Sequence, residues 1–305
     1  MGCTVLNGTG WPLDRNGMSD FLGFDRPRRN AFDATQISQV DLPVELAGIV
    51  AAIGLHVGEM IGGIMTQYAQ PRPWLLLSEG GDNTYVSSAM PQKRNPGLLN
   101  NTRAEASDAV AAAEGVFLRA HNVVSGMMDG KSTGMADTAS SALTKLRRVI
   151  AGIVVNRDRA LEELNLDWTA SQEIADQLML KHGLPFRIGH HMASAMVSWA
   201  RAHDVRPSDF PYDEMKALYR KEIESEFPDA SPDLPMTEAE FHSCLDPKSI
   251  LEKRQTAGSA NPKETSAMLS EQEARIAWYR ENTAMARRRV ASAHQALADA
   301  FDAIR

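Results

Sequence analysis

The stretch LAGIVAAIGLHVGEMIGGIM, Leu46 to Met65, is the longest apolar tract of the sequence. Apolar residues continue on both sides at helical spacing, and this pattern predicts one long helix from Ile37 to Gln70. His56, Glu59 and five glycines interrupt the tract, which favours a helix buried in a bundle over a membrane span. No membrane partner is therefore expected.

Two further long helices follow in the sequence. One is expected from Pro96 to about His121, because Asn95 is a suitable N-cap and proline is tolerated at the first helical position. The other is expected from Met135 to Asn165, where apolar residues again recur on one side. Three long helices with almost no strand pattern predict an all-α fold, a long-helix bundle.

After Asn165 the predicted elements shorten and prolines become frequent. We therefore expect a boundary near Asp167, with a central helical bundle over residues 1–167 and a smaller helical domain over residues 168–305. Helices are expected up to Gly183, from Pro185 to about His203, from Thr237, and from Thr265 to Ala303.

Composition excludes several classes of function. The 305 residues are 43% hydrophobic and 23% charged, with a net charge of −7, which is typical of a soluble globular protein. Phosphate binding needs a concentrated basic face, and we find none, so a nucleic-acid partner is not expected. The two cysteines, Cys3 and Cys244, form no disulfide framework, and the amino terminus does not resemble a signal peptide, so a cytoplasmic location is expected.

The segment SSAMPQKRNP, Ser87 to Pro96, interrupts the helical pattern with small, flexible and cationic residues. It leads into a predicted helix N-terminus, where unpaired amides and the helix dipole favour an anion. Lys93 adds a positive charge, and a serine hydroxyl in such a field loses its proton more easily than in water. The segment therefore fits a loop that holds a carboxylate while Ser87 or Ser88 takes a proton from the adjacent carbon.

Gly80 and Gly81, followed by Asp82 and Asn83, precede this segment, and their flexibility suits a lid. Residues 80–95 are therefore treated as one functional loop. From spacing alone, a simpler interpretation stays open, in which the segment is only an N-capped helix preceded by a loop.

The same segment resembles the signature of the fumarase/aspartase superfamily, G-S-S-x-M-P-x-K-x-N, with Val86 in place of the first glycine. NGTGWPLDR (Asn7 to Arg15) and NAFDAT (Asn30 to Thr35) resemble segments of its argininosuccinate lyase branch. KHGLPFRIGHHMAS (Lys181 to Ser194) and SILEKRQTAGSANP (Ser249 to Pro262) resemble the C-terminal domain of that branch. The resemblance thus extends over most of the chain.

This resemblance implies an all-helical homotetramer around a central bundle, of which this chain carries an incomplete part, and a β-elimination that releases fumarate from a small-molecule substrate. By position in the motif, Ser87 is the catalytic base and Lys93 the cation that stabilises the aci-carboxylate intermediate. Asn95 takes the position that binds a substrate carboxylate, and Ser88 and Met90 line the same loop. No cofactor and no metal are implied.

Two departures concern the catalytic groups. The upstream S-x-N and T-H-x-Q segments of the family do not occur in these residues, and the sequence opens inside a family motif. This predicts the C-terminal portion of a longer lyase, inactive without the remaining part. In addition, Asn100 stands where the family has the glutamate that orients the catalytic histidine, and an amide cannot stabilise an imidazolium by charge.

A third departure concerns the substrate. The segment SGMMDGKS (Ser125 to Ser132) lacks the tyrosine, lysine and glutamine with which argininosuccinate lyases contact the arginine end of the substrate. Losing polar partners usually costs about 10⁴-fold in discrimination. We therefore expect a carbon–nitrogen lyase for another N-substituted aspartate, with Lys131 meeting a distal carboxylate.

Three alternatives remain: argininosuccinate lyase proper, a non-catalytic subunit that complements a separately encoded half, and a metal-dependent hydrolase. The hydrolase is disfavoured because the sequence has no ligand spacing of the H-E-x-x-H kind, and the adjacent His190 and His191 cannot face one ion from a helix.

Overall fold

The computed structural model describes residues 2–4, 7–37, 40–121, 123–127 and 134–304, with Glu226 described by its backbone only. Helices dominate this part of the chain, and the predicted all-α class is confirmed. The chain forms two compact units, Met1–Asn156 with Tyr279–Arg305 and Arg157–Trp278, called unit 1 and unit 2. The predicted division into 1–167 and 168–305 differs from these units in assigning residues 157–167 to the first part and 279–305 to the second.

Three long helices and two short strand pairs make up most of unit 1. Their bounds are α1 Arg15–Phe21, α2 Asp41–Tyr68, β1 Leu75–Leu77, β2 Tyr85–Val86, β3 Arg94–Asn95, α3 Gly97–Ala120, α4 Met135–Gly152 and β4 Ile153–Val155. A short π-helical turn, Asp33–Ile37, precedes α2.

Helices α2, α3 and α4 pack against one another and form the bundle that the apolar pattern predicts. Their contact surfaces include many small residues, such as Ala47 on α2 and Ala106 and Ala109 on α3, all of which are buried. Gly54 is part of this packing, because a Cβ added there would lie 2.7 Å from the Ala106 carbonyl oxygen. Small side chains therefore set how closely α2 and α3 approach.

Two details of the predicted helices were wrong. Asn95 is not the N-cap of α3, because it is held in strand β3 and the N-cap is Pro96; a residue before proline favours extended backbone. The expected helix from Met135 to Asn165 is broken at Ile153–Val155, where three β-branched residues form β4. The chain resumes as α5, Arg157–Leu166.

Each strand pair is antiparallel and short. In one, β1 and β4 align Leu75 with Val155 and Leu77 with Ile153. In the other, β2 and β3 align Tyr85 with Asn95 and Val86 with Arg94. The second pair makes residues 85–95 a β-hairpin, and this hairpin carries the signature segment.

Unit 2 contains shorter helices around one aromatic and methionine-rich core. Its helices are α5, α6 Gln172–His182, α7 Phe186–His203, α8 Tyr212–Glu226, α9 Glu238–Leu245 and α10 Pro247–Lys253, with 3₁₀ turns at Trp168–Ser171 and Pro207–Asp209. Sequence signals explain their ends: Gly183 terminates α6 with φ 68°, and Thr237 forms a capping box with Glu240 at the start of α9.

The final helix, α11, spans Pro262–Asp302, and its residues up to Trp278 belong to unit 2 and those from Tyr279 to unit 1. Within unit 1 it is held by an ion pair of 3.0 Å between Arg289 and Asp25. Ala293 is the buried residue of this helix among the described residues.

Within the described ranges one helix, α2, is long and apolar enough to cross a membrane. The core helix of a soluble protein meets the same criterion. Buried residues of α2, including Val50, Val57 and Ile61, lie on the face that contacts α3 and α4.

Candidate active site

The signature segment forms the tip of the hairpin between β2 and β3. The Ser87 amide donates to the Lys93 carbonyl oxygen at 3.4 Å, and the Lys93 amide donates to that of Met90 at 3.0 Å. These bonds close a tight loop and bring Ser87 and Lys93 opposite each other, directly beyond the paired residues Val86 and Arg94. The two residues assigned as base and cation are therefore neighbours across the hairpin.

The Ser87 hydroxyl oxygen accepts hydrogen bonds from two backbone amides. The Ala89 N–H lies at 3.3 Å and the Met90 N–H at 3.2 Å. Donors directed at an oxygen stabilise its charged form relative to its neutral form. The loop therefore carries its own stabilising groups for a serine alkoxide, which is the state that a proton-abstracting serine needs.

The other residues at the tip are open to solvent. Ser88, Met90 and Lys93 are exposed, and Ser87 is half-buried. Among the contacts of the described residues, the Lys93 side chain takes part in no hydrogen bond or ion pair. Its ammonium group is thus available to a ligand.

Asn95 and Asn100 lie at and below the base of the hairpin. The Asn95 side-chain amide donates to the Tyr85 carbonyl oxygen at 3.4 Å, and this contact supports the strand pair. Asn100 is half-buried in the first turn of α3, where its backbone N–H donates to the Pro96 carbonyl oxygen at 3.1 Å. Asn95 thus helps to join the two strands of the hairpin, and the Asn100 backbone helps to start the helix that follows.

Charged and polar contacts fix the hairpin base to the bundle. Arg94 pairs with Glu79 at 3.0 Å, and the Tyr68 hydroxyl donates to the Arg94 carbonyl oxygen at 3.3 Å. Burial, and secondarily the Glu79 carboxylate, raise the pKa of the Tyr68 phenol. Tyr68 therefore stays protonated and remains a donor at neutral pH.

Hydrogen bonds also stabilise the glycine turn before the hairpin. Gly80 and Gly81 have φ of 90° and 55°, values that favour glycine. The Gly80 amide donates to the buried Thr84 hydroxyl at 3.1 Å, and the Asn83 side chain donates to the Ser78 hydroxyl at 2.9 Å. These glycines thus shape a hydrogen-bonded turn, whereas the tip beyond Val86 lies in solvent.

An open cavity of about 470 Å³ lies beside the base of the hairpin. Thr84, Tyr85 and Asn100 line it together with Arg148, which pairs with Asp82 at 3.3 Å. The Tyr85 ring packs on Gly97, where an added Cβ would lie 3.0 Å from a ring carbon. Position 97 therefore requires a glycine if the Tyr85 ring is to line the cavity in this position.

Sequence reasoning missed the Arg148–Asp82 pair and the cavity. The two residues are 66 positions apart, and no local pattern connects a helix-surface arginine with a turn aspartate. Lys131, predicted to meet a distal carboxylate, lies outside the described residues, as do Met128, Asp129 and Gly130. Met127 is described and exposed.

No group of three or more His, Cys, Asp or Glu side chains within the described ranges has the spacing of a metal site. His190 and His191 pack in an aromatic row with Phe186 and Phe227 in unit 2. Their surroundings are those of core and surface packing.

Residues 168–252 match the family model described as argininosuccinate lyase C-terminal. Argininosuccinate lyase of Bacillus subtilis (strain 168) is 27% identical over 289 residues, which cover 91% of this chain and 57% of that protein. The enzyme of the same name from Bartonella tribocorum is 27% identical over 228 residues, covering 72% of this chain and 47% of that protein.

Over most of its length the chain is therefore similar to argininosuccinate lyases, in agreement with the expected resemblance to that branch of the fumarase/aspartase superfamily. It spans about half the length of the curated relatives that it matches.

Two solved structures share the fold of this chain. A variant of EDDS lyase with bound fumarate superposes with a TM-score of 0.85 at 21% identity, over 99% of this chain and 59% of that chain. EDDS lyase in complex with formate gives a TM-score of 0.85 at 21% identity, over 98% and 58%. At this identity the likeness establishes the fold.

Proposed function

We propose that this chain supplies the serine base and the lysine of a fumarate-releasing carbon–nitrogen lyase that acts on an N-substituted aspartate. The observation that carries the proposal is the Ser87 hydroxyl oxygen, which accepts two backbone N–H groups while Lys93 stands across the loop. The names of the relatives, argininosuccinate lyase and EDDS lyase, support the lyase class.

The chemistry follows from these groups. The Ser87 alkoxide takes the proton from the carbon next to a substrate carboxylate, and the electron pair moves into that carboxylate to give the aci form. Positive charge at Lys93 stabilises the doubly charged intermediate more than the ground state, which lowers the barrier. The electron pair then forms the double bond of fumarate as the carbon–nitrogen bond breaks, and the amine leaves with a proton.

Substrate choice is the second part of the proposal. Met127, exposed on the segment that corresponds to the arginine-binding segment of argininosuccinate lyases, offers no hydrogen bond to a guanidinium group. We therefore favour an aspartate with a small or acidic N-substituent, with Lys131 as the cation for a second acidic arm. Argininosuccinate is the competing substrate.

Oligomer formation and location complete the proposal. Only 28% of the apolar window in α2 is buried within the chain, and Leu42, Ile49 and Leu55 are more than half exposed. Contiguous apolar surface of this kind normally marks an interface, so we propose a homotetramer in the cytoplasm. A monodisperse monomer in light scattering would contradict the tetramer.

The test follows fumarate release by its ultraviolet absorbance from a panel of N-substituted aspartates and argininosuccinate. The chain is assayed alone and mixed with a second chain that carries the T-H-x-Q segment. Ser87→Ala should lower kcat by several orders of magnitude with little change in substrate affinity, because the hydroxyl acts in the transition state. Ser107→Ala, at an exposed serine of α3 outside the loop, is the matched control and should retain turnover within a few fold.

The outcomes separate the alternatives. Full turnover by Ser87→Ala would place the base elsewhere and overturn the mechanism. Argininosuccinate with the highest kcat/KM would make the protein an argininosuccinate lyase proper. No turnover of any substrate, alone or mixed, would favour the non-catalytic subunit.

A further inference from the structure

A cavity of about 340 Å³ opens between α1 and the loop that follows it in unit 1. The guanidinium-bearing side chains of Arg15, Arg26 and Arg28 line it, and among the described residues of its lining there is no aspartate or glutamate. Like charges gathered in one small space repel one another unless an anion neutralises them. The lining charge alone therefore favours a negatively charged occupant.

Contacts within the chain restrain two of the three arginines. Arg15 donates to the Arg28 carbonyl oxygen at 2.8 Å, and the Arg28 side chain pairs with Asp33 at 2.6 Å. Asp33 neutralises the charge of Arg28, whereas the Arg26 side chain forms no hydrogen bond or ion pair among the described residues. Preorganised guanidinium groups lose less side-chain entropy when they bind a carboxylate.

Ser19 gives a second, independent indication of a ligand. This residue of α1 is 7% exposed and lines the same cavity, and its hydroxyl oxygen is buried with no hydrogen-bond partner in the part of the chain that the structure describes. A buried hydroxyl without a partner is costly and is rarely found in native proteins. An oxygen atom of a bound anion would satisfy it.

The rest of the lining is apolar. Met18, Leu22, Phe24 and Pro27 contribute hydrophobic surface, and the cavity volume lies within the range of roughly 300–1,000 Å³ that is usual for small-molecule sites. Apolar walls with a few convergent polar groups suit a molecule that has both a charged and an apolar end.

From these observations we propose that the cavity binds a small alkanoate, with its carboxylate on the arginines and on the Ser19 hydroxyl and its hydrocarbon end against Leu22 and Phe24. The site is argued independently of the lyase reaction, and none of its residues is assigned a role there.

The test uses hexanoate as the probe, with titration calorimetry on the whole chain. Acetate has the charge without the apolar end, hexan-1-ol has the apolar end without the charge, and inorganic phosphate is a bare anion. Hexanoate should bind at least about tenfold more tightly than any of the three, because both ends contribute to binding. Equal binding of phosphate and hexanoate, or no heat from hexanoate up to about 10 mM, would overturn the proposal.

Variants localise the binding. Arg26→Ala removes a lining guanidinium that forms no hydrogen bond or ion pair within the described part of the chain, and it should weaken hexanoate binding about tenfold. Arg29→Ala is the matched control, because Arg29 is exposed, lies three positions away and does not line the cavity. Equal effects of the two variants would show that hexanoate binding does not depend on the cavity, and this result would overturn the proposal.

Ser19→Ala has two expected effects of opposite sign. The melting temperature without hexanoate should rise, since an unsatisfied buried hydroxyl is removed and alanine favours the helix. Hexanoate affinity should fall several-fold, since the carboxylate loses a donor. Unchanged affinity in Ser19→Ala would remove the hydroxyl from the site and contradict the proposed binding mode.

Discussion

The two units of the molecule bury different kinds of side chain. In the bundle of unit 1, alanines fill many buried positions, including Ala47, Ala106, Ala109 and Ala113. In unit 2 the buried core contains Phe210, Tyr219 and Phe241 together with several methionines. Small residues permit close approach of helices but bury little apolar area each, so the two units gain their stability in different ways.

The large apolar side chains of unit 1 lie mainly on its outside. Leu42, Leu55, Leu118 and Phe301 are more than 60% exposed, whereas in unit 2 the rings of Phe210, Tyr219 and Phe241 face inward. We infer that unit 2 owes its stability to its own core, and that unit 1 gains a substantial part of its stability from whatever covers its surface. This contrast can be tested by substitution.

Phe241→Ala should have the largest effect. The Phe241 ring is fully buried and lies 6.0 Å from that of Phe210 and 5.9 Å from that of Tyr212. Its removal leaves a cavity and should lower the free energy of unfolding of unit 2 by about 3–5 kcal/mol, measured by urea unfolding followed by circular dichroism. Phe186→Ala, at a partly exposed ring, should cost far less; equal losses would mean that the aromatic core does not stabilise unit 2.

Arg254→Met tests the polar part of the same core. Arg254 bonds Glu173 and Asp176, each at 3.1 Å, and Glu173 is only 2% exposed. Loss of the cation leaves the buried Glu173 carboxylate with a neutral donor, the Gln177 side chain at 2.7 Å, but without a compensating charge. The change should cost about 2–3 kcal/mol in urea unfolding, since Arg254 itself is partly exposed.

Arg220→Met provides the control for this pair. Arg220 and Asp233 form an ion pair of 2.9 Å in which both side chains are exposed, and such pairs contribute about 0–1 kcal/mol. A similar loss in both variants would contradict the role of the buried carboxylate.

Gly54→Ala tests the close packing of unit 1. The added methyl group would lie 2.7 Å from the Ala106 carbonyl oxygen and 2.7 Å from Val110 Cγ2, so α2 and α3 would have to separate at a cost of about 1–3 kcal/mol. At Gly58 on the same helix nothing lies within 4 Å, and Gly58→Ala should instead stabilise the helix by up to about 1 kcal/mol. Thermal melting of both variants distinguishes them, and a stabilising Gly54→Ala would contradict the packing.

Glu240 should give the smallest effect, visible only in acid. The Thr237 backbone amide, followed by the Lys181 ammonium and the Thr237 hydroxyl, lowers the pKa of Glu240 from 4.5 to about 2. Because the folded-state pKa is the lower one, its contribution is present above pH 4.5 and is lost as the pH falls towards 2. Glu240→Gln should therefore lower the melting temperature at pH 6 and change it little near pH 2. A deficit that is equal at both pH values would assign the effect to packing.

Prediction from sequence succeeded where the signal was local. The period of 3.6 residues located α2, α3 and α4, and turn chemistry located Gly183 and Thr237. It failed at Ile153–Val155, because the partner strand Leu75–Leu77 is distant in sequence and supplies the hydrogen bonds that end the helix. In the same way, the motif identified Ser87 and Lys93, but the strand pair that sets them face to face depends on residues on both sides of the loop.

The two cysteines of the sequence divide between the units, with Cys3 in unit 1 and Cys244 in unit 2, and both are buried. Burial raises the pKa of the Cys244 thiol to about 11, so that its reactive thiolate is scarce while unit 2 is closed. A thiol reagent should therefore modify Cys244 mainly when unit 2 opens. Unit 2 thus contains a natural probe of its opening rate, and mass spectrometry of the labelled Cys244 peptide would follow that opening in the unmodified protein.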